Sequence, residues 1–327
     1  MKNKKNSYVY IVLIIISLIV IPSAIARFIA SKRLEGNINV LNHPCKTPIG
    51  PAAKYILNKE GGVSAIDNKP TPDFSQAATT KEGMFVSEDD YCKSYYYRGQ
   101  ADNWVSFAGF YWRIIRINGD GSIRLIYSGT KTNNTAAGTT IGSSPYNTVY
   151  NAEKYGDYKI SKIKPVVDNW YRANIFGKAF ENKIADPGFC NDMTKTSTTD
   201  FGAYDRLENK KMPSFKCPNK SRDLLSKSNN KLTYPVGLLV WDEASFAGGA
   251  RHTPNSNYYI YTGRSYWTMT PAYFFPSDLR TAYIYRDGRP SRNETYESID
   301  VRPVINLKSE VAITSGDGTI ASPYIIN

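Results

Sequence analysis

Histidine is almost missing from this 327-residue chain: only His43 and His252 occur. Neither stands in a metal-ligand or triad spacing, so the commonest general base of hydrolytic sites has no visible partners. There is no G-x-S-x-G, which excludes the nucleophile elbow of α/β-hydrolases. The absence of a P-loop and of G-x-G-x-x-G excludes the commonest nucleotide-binding signatures. Cysteine is scarce too, with four residues and no C-x-x-C spacing, which argues against zinc and thioredoxin-like chemistry. The acids are the minority charge, 29 against 41 Lys and Arg. The adjacent pair Asp242 and Glu243 opens a short predicted helix, where it cannot face itself across a glycosidic bond and caps the helix instead. His252, in GGARHTPNSN, reads as a solvated loop residue. No catalytic residue, no metal and no cofactor is indicated, and the sequence reads as a binding or adhesion protein, with an enzyme acting on cell-wall or surface substrates and a structural envelope component as the alternatives.

Aromatic side chains are plentiful: 13% of the chain, with 25 Tyr against 13 Phe. That bulk supplies a large core, and the phenol hydroxyls suit half-wet positions where rings meet saccharide or protein, or pair across strands. Residues 1–33 hold six Lys or Arg and no acid, so half of the formal charge of +12 belongs to the amino terminus. The mildly basic remainder fits attraction to anionic wall polymers or headgroups and is too diffuse for nucleic acid.

Residues 8–21, YVYIVLIIISLIVI, form an uncharged apolar run behind the basic MKNKKNS. Extended to residue 30 it has about the 20 residues a membrane-spanning helix needs, with Arg27 at its edge. The alternative is a signal peptide cleaved after Ala26. The expected place is therefore the cell membrane, single-pass with an extracellular carboxy-terminal domain, or secretion. Cys45, Cys92, Cys190 and Cys217 all follow the leader, and their even count favours disulfides in an oxidising space. Of the three possible pairings, neighbours are expected to join: Cys45 with Cys92, Cys190 with Cys217.

The expected order is a membrane anchor or signal segment over 1–33, a linker or outer wrap over 34–83, and one extracellular domain over 84–327. The wrap is rich in Pro with a helical hint in AAKYILNK. FYWRIIRINGDGSIRLIYSG at 110–129 reads as a β-hairpin turning at Asn118-Gly119-Asp120-Gly121. The xGDGxI pattern returns at 315–320 as a second turn. Residues 130–148 read as an exposed loop, and 185–232 as a disulfide-stapled excursion. In SKIKPVVDNWYRANI the residues Ile163, Val166, Val167 and Trp170 mark one apolar helical face. YPVGLLVWDEASFAGG reads as a buried strand entering a short helix stopped by Gly248-Gly249. YYIYTG, SYWTMTPAYF, TAYIYRDGRPSR and SIDVRPVINL read as strands, with a turn at Asp287-Gly288.

The candidate ligand-binding residues are Arg264, Tyr266, Trp267, Arg280 and Tyr283, a gathering of residue types favoured at binding hot spots. Strand alternation sends Tyr266 and Trp267 to opposite faces, so at most one of the two is exposed.

The segments FAGFYWRIIRINGDGSIRLIYSG, VVDNWYRANI, YPVGLLVWDEASFAGG, SYWTMTPAYF and VRPVINL together resemble a family of surface-directed bacterial proteins of Firmicutes and Mollicutes-like lineages. Its carboxy-terminal half is similar to the C-type-lectin-like fold shared with formylglycine-generating sulfatase-modifying factors. The resemblance implies a mixed α+β architecture: an amino-terminal hydrophobic helix, then a β-rich C-type-lectin-like domain with few helices and a loop-rich ligand-binding face. The oxidases of that fold use a cysteine pair near the chain's end, which VRPVINL lacks. The calcium lectins use E-P-N or Q-P-D with W-N-D, and none of these triplets occurs. What remains is an extracellular glycan, wall polymer or protein as partner, and the membrane through residues 8–30.

Overall fold

The Asn-Gly signal and the flanking β-branched residues form the hairpin they predict. Strands β1 (Lys81–Glu88), β2 (Lys93–Gly99), β3 (Trp104–Phe107), β4 (Phe110–Ile117) and β5 (Ile123–Tyr127) form an antiparallel meander centred on β4. One edge of β4 pairs with β5 and the other is shared by β2 and β3, which leaves β4 covered along its whole length. The turn is closed by Asp120, whose carboxylate accepts from the Ser122 N–H and hydroxyl.

The structure, a computed structural model, describes Cys45 and residues 47–148, 157–275 and 278–327. The hydrophobic leader and His43 lie outside the described residues, and among the described residues no helix is long and apolar enough to cross a membrane. Thr47–Asn327 is one compact unit.

Further along the chain come β6 (Ser143–Pro145), β7 (Ile184–Ala185), β8 (Phe189–Cys190), β9 (Leu224–Leu225), β10 (Tyr266–Phe275), β11 (Asp278–Ile284), β12 (Pro290–Glu294), β13 (Ser298–Asp300), β14 (Val304–Leu307) and β15 (Tyr324–Ile325). The first sheet runs β1-β2-β4-β5-β14-β7, with β3 and β15 attached at β4, and the second runs β12-β11-β10-β13-β6. A two-stranded ribbon, β8-β9, completes an α+β architecture in which strands outnumber helices. The two sheets are joined through Val301–Pro303, where buried Arg302 donates to the carbonyls of Tyr127 and Ile260 and stacks on Tyr266.

Several segments differ from expectation for identifiable reasons. The expected outer wrap contains helix α1 (Pro51–Lys59), which buries Ala52, Ala53, Ile56 and Leu57 in the main core, and helix α2 (Val63–Asp67), which buries Ile66. The AAKYILNK hint therefore marks an integral helix. Within 130–148, taken from composition as an exposed loop, β6 pairs with β13 and Tyr146 is buried, donating to the Met269 carbonyl. YYIYTG forms a turn instead of a strand: Tyr261 N–H returns to the Tyr258 carbonyl, while Tyr258 and Tyr259 are buried. Their aromatic content serves packing without a ladder.

Helix α3 (Ile163–Asn174) forms where the 3.6-residue period places it, but its buried line is Ile163, Val167 and Tyr171. Trp170 sits at the edge of that line, half-buried against Phe110, Trp112 and Tyr127. Of 185–232, α4 (Gly202–Tyr204), which continues as a wider helical turn over Asp205–Lys210, and α5 (Lys220–Asp223) are the short helices, and Cys190 and Cys217 are bonded at a sequence separation of 27. Cys45 and Cys92 are also disulfide-bonded, and no described cysteine is free.

Candidate binding groove

Three concavities bear on where chemistry is possible, and the one of about 520 Å³ between Phe74, Tyr96 and residues 210–213 contains none of the residues singled out by sequence. Of the other two, the first is a polar cleft between the sheets beside Cys190, and it is built around charges buried inside strands. Arg116 of β4 and Arg124 of β5 are directly paired across the hairpin, an arrangement that like-charge repulsion opposes. Two acids balance it: Asp89, whose Oδ2 lies 3.5 Å from Arg116 Nη1, and Glu243, which lies against both arginines. The Glu243 Oε1 lies 2.5 Å from Arg124 Nε and 3.5 Å from Arg116 Nε, and all three groups are buried. Glu243 reaches this point because it is the third residue of helix α6 (Trp241–Phe246), where its Oε2 also accepts from the Val240 N–H. That hydrogen bond is the capping role expected of it. Burial pulls Arg124 down to about 10, and Glu243 opposes the shift, so the guanidinium stays charged at neutral pH.

Asp242 turns the other way and holds Arg206 through two hydrogen bonds of 3.0 and 2.9 Å, while Asp192 takes a third at 2.8 Å. Asp89 accepts from the backbone N–H groups of Tyr91, Cys92 and Gly119. Each acid of the cleft is thus already occupied by a cation or by the backbone. The remaining cavity volume is about 40 Å³, room for ordered water and too small for a sugar ring. This cleft is a scaffold, with Arg116 seated on the Phe215 ring at 4.2 Å and Arg124 on Phe189 at 4.4 Å.

The second concavity is an open groove of about 310 Å³. It lies where β10 begins. Tyr266 there is flanked by Ile284 of β11 on one side and Asp300 of β13 on the other. The chain approaches through Gly263 at φ +75°, a left-handed turn that favours glycine, and this places Arg264 and Ser265 on one wall. Tyr283, Tyr285 and Arg286, from the end of β11 and its turn, form the other wall, with Asn293, Ser298 and Asp300 completing the lining. Gly288, also at positive φ, closes the turn. A Cβ there would lie 1.8 Å from the Asn255 carbonyl oxygen.

The groove is rigid where it meets the core and open above it. Arg264 donates to Asp300 through Nε at 2.6 Å and Nη2 at 3.0 Å, a bidentate pair that fixes the planar guanidinium at the groove wall. Tyr283 packs on buried Trp267, ring centroids 6.0 Å apart, and Tyr285 meets Tyr283 edge to face at 6.1 Å. Burial raises the Tyr283 phenol, so it stays a neutral donor and acceptor through the physiological range. Arg289 and Arg286 lie over the Tyr285 ring at 4.8 and 5.4 Å.

Of the five residues singled out by sequence, Arg264 and Tyr283 line this groove. Tyr266 and Trp267 are both wholly buried, contrary to simple alternation at an exposed strand, because β10 is central in its sheet and covered on both faces. They act beneath the site: Tyr266 donates to the Ile260 carbonyl and Trp267 to the Ser144 carbonyl. Arg280 lies further back on β11, across from Glu294, with which it pairs at 3.3 Å, and does not line the groove. Tyr285, Arg286 and Asn293 went unnoticed in sequence, although the dense Y-R-D-G-R turn at 285–289 was a signal for two of them. His252 is exposed and hydrogen-bonded to Glu208 at 2.8 Å. Burial works to raise the Glu208 carboxyl, but the hydrogen bond from His252 and the charge of Arg251 hold it below the ordinary glutamate range.

Among the described residues no group of three or more His, Cys, Asp or Glu is placed to hold a metal ion. Fold and groove together define an α+β domain with a preformed polar and aromatic groove. No family model, no curated protein and no solved structure matches the chain.

Proposed function

We propose that this protein is a membrane-anchored or secreted extracellular binding domain that recognises a polysaccharide or wall polymer through the groove at the start of β10. The observation that carries the reading is the convergence of Arg264, Tyr283, Tyr285, Arg286 and Asn293 on one open groove of ligand-binding size, about 310 Å³. Flat rings for stacking beside fork-shaped and amide donors are what polyhydroxylated chains require. Oxidised cysteines support a place outside the reducing cytosol. The narrow ionic cleft, with its charges already paired, is the poorer site.

The test is binding of the full-length protein to an array of wall polymers, glycans and matrix proteins, with and without EDTA. Binding is expected to survive EDTA, since the lining donors are guanidinium, phenol, amide and hydroxyl groups. Tyr285→Ala is expected to weaken it roughly fivefold, the equivalent of about 1 kcal/mol of lost ring contact. Unchanged affinity in Tyr285→Ala, or loss of binding in EDTA, would remove the groove from consideration.

A further inference from the structure

Charge at the groove separates one class of polymer from another. Of its lining residues three are charged at neutral pH: Arg264, Arg286 and Asp300. Asp300 is buried and wholly engaged by Arg264. That pair is locally neutral, yet it leaves the third guanidinium nitrogen of Arg264 without a hydrogen bond, on a side chain 47% exposed. Arg286 is different. It is exposed, it lies 5.4 Å from the centre of the Tyr285 ring, and among the described residues no carboxylate forms an ion pair with it. The neighbouring Arg289 is matched by Asp287 at 3.1 Å and adds no net charge. The groove thus carries one uncompensated cation, held on an aromatic platform at its rim, opposite a fixed guanidinium with a donor to spare.

A neutral saccharide would leave the charge of Arg286 unpaired, whereas a chain bearing phosphodiesters or carboxylates pairs with it. We infer that the groove selects an anionic polyhydroxylated polymer, with Arg286 as the specificity-determining residue and Arg264 as the second contact. The inference rests on the groove being the binding site and adds the charge class of what binds there. A guanidinium stacked on a ring is already oriented, so its fork meets phosphate or carboxylate with little further ordering.

The experiment compares three probes on the full-length protein: poly(glycerol phosphate), a polyuronate and neutral dextran. Wild type is expected to bind one or both anionic probes at least about tenfold more tightly than dextran, in keeping with a charge-assisted hydrogen bond. The preference is expected to shrink as salt is raised. Arg286→Ala should erase the preference. Arg286→Lys should restore part of it, keeping the charge while losing the fork. Arg172→Ala, which removes an exposed arginine on α3 away from the groove, should leave it unchanged. The two anionic probes distinguish phosphodiester from carboxylate as the source of charge. Equal loss in Arg286→Ala and Arg172→Ala would reduce the preference to general electrostatics and overturn the inference. Dextran binding as tightly as the polyanions, and weakened by Tyr285→Ala, would overturn it while leaving the groove reading intact. No binding to any probe would overturn both.

Discussion

Replacing Glu243 with Gln is expected to destabilise the fold by about 3–5 kcal/mol, the usual consequence of removing one partner from a buried ion pair. Arg116 and Arg124 face each other across the β4–β5 hairpin, and Glu243 is the carboxylate that lies against both. Gln keeps the shape and the helix-capping oxygen but not the charge, leaving two opposed guanidinium groups with only Asp89, 3.5 Å from Arg116, as counter-charge. Domains of ordinary stability hold about 5–15 kcal/mol, so this single change should take roughly a fifth or more of the total. Urea titration followed by tryptophan fluorescence measures it, since Trp112, Trp241 and Trp267 are all buried in the core. The triple change Arg116→Met, Arg124→Met, Glu243→Met should recover much of the loss, because a buried charge cluster replaced by apolar groups of similar volume costs little. A midpoint unmoved in Glu243→Gln would mean that the cluster is already solvated.

The second large effect concerns the bridge between Cys190 and Cys217. It closes a loop of 27 residues, for which the loss of unfolded-chain entropy amounts to about 3–4 kcal/mol. The loop is more than a tether. Arg206 within it reaches Asp242, and Ser214 N–H donates to the same carboxylate, so the excursion is moored to helix α6 at several points. The Cys190→Ser, Cys217→Ser variant is expected to melt on the order of 10 °C lower, read by calorimetry. Polymer binding at low temperature should persist, because the groove is built from residues 263–300 and none of its lining belongs to the loop. Loss of stability without loss of binding separates the two regions. Loss of both would place the excursion in the site.

Much of the scaffold was legible because it rests on local rules. The hairpin at 110–127 follows from Asn118-Gly119 between β-branched runs, α3 from the period of Ile163 and Val167, and the second hairpin from Asp287-Gly288. What escaped depends on contacts distant in sequence. Ser143–Pro145 looks like loop by composition and becomes a strand because β13 offers it an edge. Tyr258 and Tyr259 look like strand and become buried turn residues because their rings fill the core.

The site was half legible for the same reason. Arg264 and Tyr283 were visible as residue types, but Tyr266 and Trp267 looked equally suitable until the central position of β10 buried them. Asp300 gained its role only through its parallel pairing beside Tyr266. Arg116 and Arg124 carried a signal of their own: arginines inside two otherwise apolar β-runs require a buried counter-charge. Nothing local pointed to Glu243 as its source.

The central claim is that ligand enters the groove at the start of β10. Filling it tests that claim while leaving the guanidinium, phenol and amide groups of the lining in place. Ser298 is exposed on β13 and lines the groove, and a strand tolerates an aromatic residue there. The measurement is the binding isotherm of Ser298→Trp against the tightest polymer found for the wild type, alongside its melting temperature. The account predicts affinity lowered at least about tenfold with melting within a degree or two of wild type. Wild-type affinity in a folded Ser298→Trp protein would show that the polymer binds elsewhere.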